Sequence, residues 1–154
     1  MVKVKIHQNH YKVTKLKIFP EIKLPSQGLF IHDCKAKDGF FEDLLTSCHS
    51  LKMLYLFRLT LNLNMIQNIC HQNCKTLQTL KLRWSEGLDI ESVKMITENC
   101  TELTEVSFAD TYLSEACVNI VSSSLTPKVM KLSLGGLWEV DNIHDLNLES
   151  RIGH

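Results

Sequence analysis

The 154-residue chain has no net charge: Lys+Arg and Asp+Glu both number 17. The total gives no case for nucleic acid as a partner. No run approaches the ~20 apolar residues that cross a bilayer, so no membrane is expected either. No secretory leader is visible, because Lys3 and Lys5 interrupt Val2 and Val4 and no apolar segment follows. The six cysteines are therefore expected in a reducing compartment, the nucleus or cytoplasm. Catalytic signatures are missing too: no Gly-x-Ser-x-Gly elbow, His-Glu-x-x-His, phosphate loop or Gly-x-Gly-x-x-Gly turn. No pattern places any of the seven histidines as a base. The expectation is a chain that is not an enzyme and needs no cofactor.

What the sequence does contain is one phrase, Cys-x-x-Leu-x-x-Leu-x-Leu, at a fixed interval. Copies open at Cys48 (Leu51, Leu54, Leu56), Cys74 (Leu77, Leu80, Leu82) and Cys100 (Leu103, Val106, Phe108). A fourth has Thr126 in the cysteine slot, followed by Val129, Leu132 and Leu134. The opening position rises by 26 at each copy, through 48, 74, 100 and 126. A period of 20–29 residues with this apolar phrase signals leucine-rich repeats. The fold class expected is α/β: a solenoid, or horseshoe segment, with parallel strands on its concave face and helices on its convex face.

Each unit predicts a short strand and then a helix. Leu80-x-Leu82 has the period of a strand. Trp84 to Leu88 turns, helped by Gly87, and Asp89 is a helix N-cap before Ile90, Val93 and Ile96. Asn62 opens the equivalent helix with Ile66, Ile69 and Cys70, and Ser114 opens the next with Cys117, Val118 and Val121. Upstream, Val13-x-x-Leu16-x-Ile18 resembles one more strand phrase, set off by an irregular insertion around Pro25, Ser26, Gln27 and Gly28. Phe40, Phe41, Leu44 and Leu45 form a helix face leading into Cys48. Residues 1–39 are thus expected as an N-terminal strand or cap region, and residues 40–154 as repeats, the last incomplete. Residues 1–24 carry six lysines against Glu21 alone. That basic start reads either as an interaction arm or as a solvated edge that discourages strand aggregation.

The recurring cysteine has a structural reading. Its slot lies where the chain turns in from helix to strand, and free cysteine behaves as a small hydrophobe with a weak S–H donor. Cys48, Cys74, Cys100 and Thr126 are expected to form a stacked ladder. A metal site is the competing reading, because Cys70, His71 and Cys74 sit within five residues. Three residues separate the two cysteines, so this is no Cys-x-x-Cys knuckle, and no second knuckle follows. No metal is expected.

Strand alternation turns the residues between the leucines outward. One outward column reads Lys17, Tyr55, Lys81, Ser107, Ser133; the next reads Phe19, Phe57, Arg83, Ala109, Gly135; the third reads Pro20, Arg58, Trp84, Asp110, Gly136. Tyr55, Phe57, Arg58, Lys81, Arg83, Trp84 and Asp110 are the candidate protein-binding residues. Tyr, Trp and Arg are the types enriched at interface hot spots. The alternative is that Phe57 and Trp84 fold over the strand edge and cover their own loops.

Cysteine-opened repeats of this period resemble the leucine-rich repeats of F-box proteins, the substrate receptors of cullin ubiquitin ligases. The likeness runs from Phe40 to about Asn142 and is carried by Leu44-Leu45-Thr46-Ser47-Cys48 and by Leu125-Thr126-Pro127-Lys128-Val129-Met130-Lys131-Leu132-Ser133-Leu134-Gly135-Gly136. It implies a non-catalytic module that holds a protein substrate on its concave face. Partnership with the Skp adaptor and a cullin would come only through an F-box, for which the residues ahead of the repeats are too few. A free-standing repeat adaptor or inhibitor outside the ubiquitin system is the other reading.

Overall fold

The computed structural model describes residues 28–32, 39–125 and 127–134. They form five strands, β1 (Gly28–His32), β2 (Met53–Phe57), β3 (Thr79–Arg83), β4 (Glu105–Ser107) and β5 (Lys131–Ser133). Four helices accompany them, α1 (Phe40–Thr46), α2 (Leu63–Asn73), α3 (Ile90–Asn99) and α4 (Glu115–Ser124). The strands make one parallel sheet in chain order, and a helix lies between each consecutive pair. The expected α/β class with a parallel sheet is what the chain has.

The register follows the sequence interval. Leu54 faces Leu80, Leu80 faces Val106 and Val106 faces Leu132. The entries to β3, β4 and β5 are pinned in the same way. Lys52 O accepts the N–H groups of Gln78 and Thr79, Gln78 O those of Thr104 and Glu105, and Thr104 O those of Met130 and Lys131, all at 2.8–3.2 Å. Leu54, Leu56, Leu80 and Leu82 are almost wholly buried with Ile66, Ile69, Val93 and Ile96 of the helices in one cluster. Each such side chain removed from water contributes about 1.5–3 kcal/mol.

Caps start the helices where spacing predicts. Asn62 accepts the Met65 N–H at 2.9 Å, Asp89 the Ser92 N–H at 2.8 Å, and Ser114 the Cys117 N–H at 3.3 Å. Each satisfies a helix N–H that has no partner in its own helix. Consecutive helices pack on one another, α1 on α2, α2 on α3 and α3 on α4. Gly87 fits its loop for two reasons. Its φ is 85°, and a Cβ there would lie 2.1 Å from the Leu61 carbonyl oxygen.

Three details differ from the expectations. Gly28–His32, in the stretch expected to be irregular, is a strand with Leu29 opposite Leu54. Phe30 therefore fills the column place that spacing assigned to Lys17. Ile90 is exposed, being the first residue of α3. Cys74 is half-buried, whereas Cys48 and Cys100 are buried. The backbone explains the contrast: Cys100 leaves helical geometry at ψ 70° and turns inward, but Cys74 continues the helix at φ −55°, ψ −31°. The strand phrase at Val13–Ile18, the basic start, Thr126, Gly135 and Gly136 lie outside the described residues.

Candidate protein-binding face

The outward face of the sheet is built by register. Phe30, Tyr55, Lys81, Ser107 and Ser133 stand in one row across the five strands. Phe57 stands beside Arg83 in the row toward the strand ends. The first row is linked by contact as well as by position. The Phe30 and Tyr55 rings meet edge to face at 4.3 Å, Lys81 Nζ lies 5.1 Å from the Tyr55 ring centre, and Lys81 pairs with Glu105 at 2.6 Å. An aromatic pair, a cation–π contact and an ion pair thus run across four strands.

Strand alternation would bury the residue after Phe57. The chain avoids this with one left-handed residue shortly after each of β2, β3 and β4. Arg58, Trp84 and Asp110 have φ of 54°, 52° and 57°, and they recur at the interval of the cysteine phrase. All three are exposed, while Leu59, Ser85 and Thr111 behind them are buried. A left-handed conformation costs a residue with a side chain roughly 1–2 kcal/mol. Strain of this kind collects at functional sites.

Hydrogen bonds beneath the row hold it in place. Arg58 N–H donates to Arg83 O and Trp84 N–H to Ala109 O. The buried Thr111 hydroxyl donates to Leu82 O and accepts the Ser85 N–H, and the Ser85 hydroxyl donates to Arg83 O. On the surface, the Arg58 guanidinium carbon lies 5.3 Å from the Phe57 ring centre and 5.8 Å from that of Trp84. Arg83 pairs with Asp110 at 3.2 Å. The structure therefore brings all seven sequence-predicted residues onto one face. Phe57 is half-buried beside Arg58, while Trp84 remains 52% exposed.

The cysteines make a different arrangement from a simple ladder. Cys100 Sγ approaches Cys70 Sγ of α2 at 3.7 Å, inside the core. This contact first, then burial, pushes the Cys100 thiol far above its ordinary value, and burial pushes Cys48 up to about 11. Protonated, buried thiols of this kind are packing groups. Cys74 and His71 line a groove between α2 and α3 with Met95 and Asn99. Among the described residues no three His, Cys, Asp or Glu side chains gather at metal-holding distance.

Sequence spacing does not reveal the buried Asn73. Its Oδ1 accepts the Leu51 N–H at 2.8 Å and its Nδ2 donates to Ile69 O at 3.1 Å. An amide immediately ahead of the cysteine slot is the only signal it leaves. No family model matches the chain, and no curated protein matches it as a relative. Among the described residues no helix is long and apolar enough to cross a membrane.

Proposed function

We propose that the chain is a leucine-rich-repeat solenoid segment serving as a non-catalytic protein-interaction module. It is the substrate-recognition part of an F-box-type ubiquitin ligase receptor, similar to the S-phase kinase-associated F-box protein. The observation that carries the reading is the exposed Trp84 beside Arg58 and Phe57, projected from a row of left-handed residues. Stacked arginine and tryptophan on a rigid sheet are a pre-shaped hot spot, because little side-chain freedom is lost on contact. The module's contribution to ubiquitin transfer would be proximity, holding a substrate near a charged enzyme. Skp adaptor and cullin contacts would belong to an F-box joined to these repeats.

Site-specific photo-crosslinking in cells tests the reading. A photoreactive phenylalanine analogue replacing Trp84 should capture a discrete protein that the same group at Lys94, exposed on α3, does not. That protein's half-life should lengthen when this chain is depleted. Equal capture from both positions would remove the face assignment. An unchanged half-life would remove the ligase assignment and leave an adaptor.

A further inference from the structure

The sheet face has a step in it. In two neighbouring rows the outward residues of β2 and β3 are Tyr55, Phe57, Lys81 and Arg83, whereas Ser107 and Ser133 on β4 and β5 and Ala109 just after β4 are small; long side chains stand one row earlier, at Glu105 and Lys131. Small side chains beside long ones leave a depression of about 430 Å³, with Arg83 on one side and Lys131 and Met130 on the other. We propose that this depression seats an acidic side chain from an extended segment of a protein partner. The proposal rests on the reading that a protein lies on this face, and adds which chemistry that protein presents.

Charge bookkeeping around the rim favours an anion. Glu105 is occupied by Lys81 at 2.6 Å. Lys131 stands next to Glu105 in register, is exposed, and has no ion pair among the described residues. Arg83 gives one guanidinium nitrogen to Asp110 at 3.2 Å. A guanidinium carries five N–H donors in a planar fork, so Arg83 can hold a second carboxylate as well. At the floor, Ser107 is more than nine-tenths buried, and its hydroxyl accepts the Ala109 N–H at 3.3 Å. Its proton is donated to no described residue, which leaves a buried donor facing the space.

Other occupants fit less well. A cationic side chain would meet Lys131 and Arg83 with Glu105 already taken. An apolar one would cover the Ser107 donor without satisfying it, and an unmet buried donor is costly. The exposed thioether of Met130 provides an apolar wall for the methylenes of a glutamate stem.

The test selects a displayed library of random twelve-residue peptides on the whole chain and measures synthetic copies of the leading sequence. The expected result is Asp or Glu enriched at one position. Changing that residue to the amide should weaken binding at least tenfold, as should Lys131→Glu. A peptide carrying Lys at that position should regain affinity for the Lys131→Glu chain. Lys131 is exposed on β5, the last strand of the described sheet, and an unchanged melting temperature checks its folding; Lys131→Gln with a salt titration serves if the swap unfolds the chain. Peptides that lose affinity on Trp84→Ala but ignore Lys131→Glu and the amide change would overturn the acidic seat and leave the binding face standing. Peptides indifferent to both, or no selected peptide at all, would overturn both.

Discussion

Across β2 and β3 the outward side chains Tyr55, Phe57, Lys81 and Arg83 are large, and ring, cation–π and ion-pair contacts tie them to one another and to Phe30, Arg58 and Glu105. Across β4 and β5 the continuing rows carry the small Ser107, Ala109 and Ser133 beside an open space, while the row before them keeps the long Glu105 and Lys131. Behind both halves the same leucine-type residues fill the same inward places. Leu56, Leu82 and Phe108 follow at the repeat interval and are all essentially inaccessible. The difference shows how the scaffold separates its tasks. Inward positions answer to close packing, where a missing methylene is felt. Outward positions are free of that packing demand, so they diverge between neighbouring units without disturbing the register.

The largest effect that could break this comparison lies inside. Leu82→Ala should cost about 2–5 kcal/mol and Phe108→Ala about 3–5 kcal/mol, whichever half of the face lies above them. Urea unfolding with both variants checks this. A negligible cost for Phe108→Ala would mean that β4 is not held as β3 is, and the two halves would no longer share one scaffold.

A smaller effect sharpens the boundary between the halves. α2 is capped by the neutral Asn62 and α3 by the ionisable Asp89. The Ser92 hydroxyl beside it, then the Ser92 N–H, hold the Asp89 carboxyl below its ordinary value. Only the N–H donates with hydrogen-bond geometry, at 2.8 Å, and the hydroxyl remains without a partner. A depressed folded value gives stability that is present above the unfolded value of about 3.9 and lost as pH falls through the folded one. Asp89→Ala should therefore cost about 0.5–2 kcal/mol near neutrality. Its gap from the parent chain should close as pH falls from about 4 toward the folded value. Thermal melts of both chains at stepped pH read this directly, and a gap independent of pH would assign the stabilisation to something other than the carboxylate.

The inward half of the design was legible because leucine spacing and caps are local signals: Leu80-x-Leu82, Asn62, Asp89 and Ser114 all act within a few residues of themselves. β1 was not legible. Leu29 stands one place too close to Leu54 for the repeat interval, and Lys23 stands where a cysteine would have marked the phrase. The left-handed row was hidden because arginine and tryptophan do not signal positive φ. Asp110, of a type enriched at positive φ, is the one signal among the described members of that column; Gly136 lies outside the described residues. Asn73 and Thr111 were hidden for another reason. A buried polar side chain looks like a loop residue until its backbone partners, Leu51 N–H and Leu82 O, are brought to it from another unit. The outward columns were legible as positions and as a drop in size from Lys81 to Ser107 and Ser133, but the depression this leaves between Arg83 and Lys131 emerges only when the strands stand side by side.

The central claim is that the aromatic and cationic end of this face is where a protein binds. Its most direct test is the dissociation constant of the partner captured at position 84, measured for the parent chain and for Arg83→Ala with Trp84→Ala. Binding should be at least tenfold weaker, about 1.4 kcal/mol or more, at a melting temperature within a few degrees of the parent. Equal affinity at equal stability would contradict it.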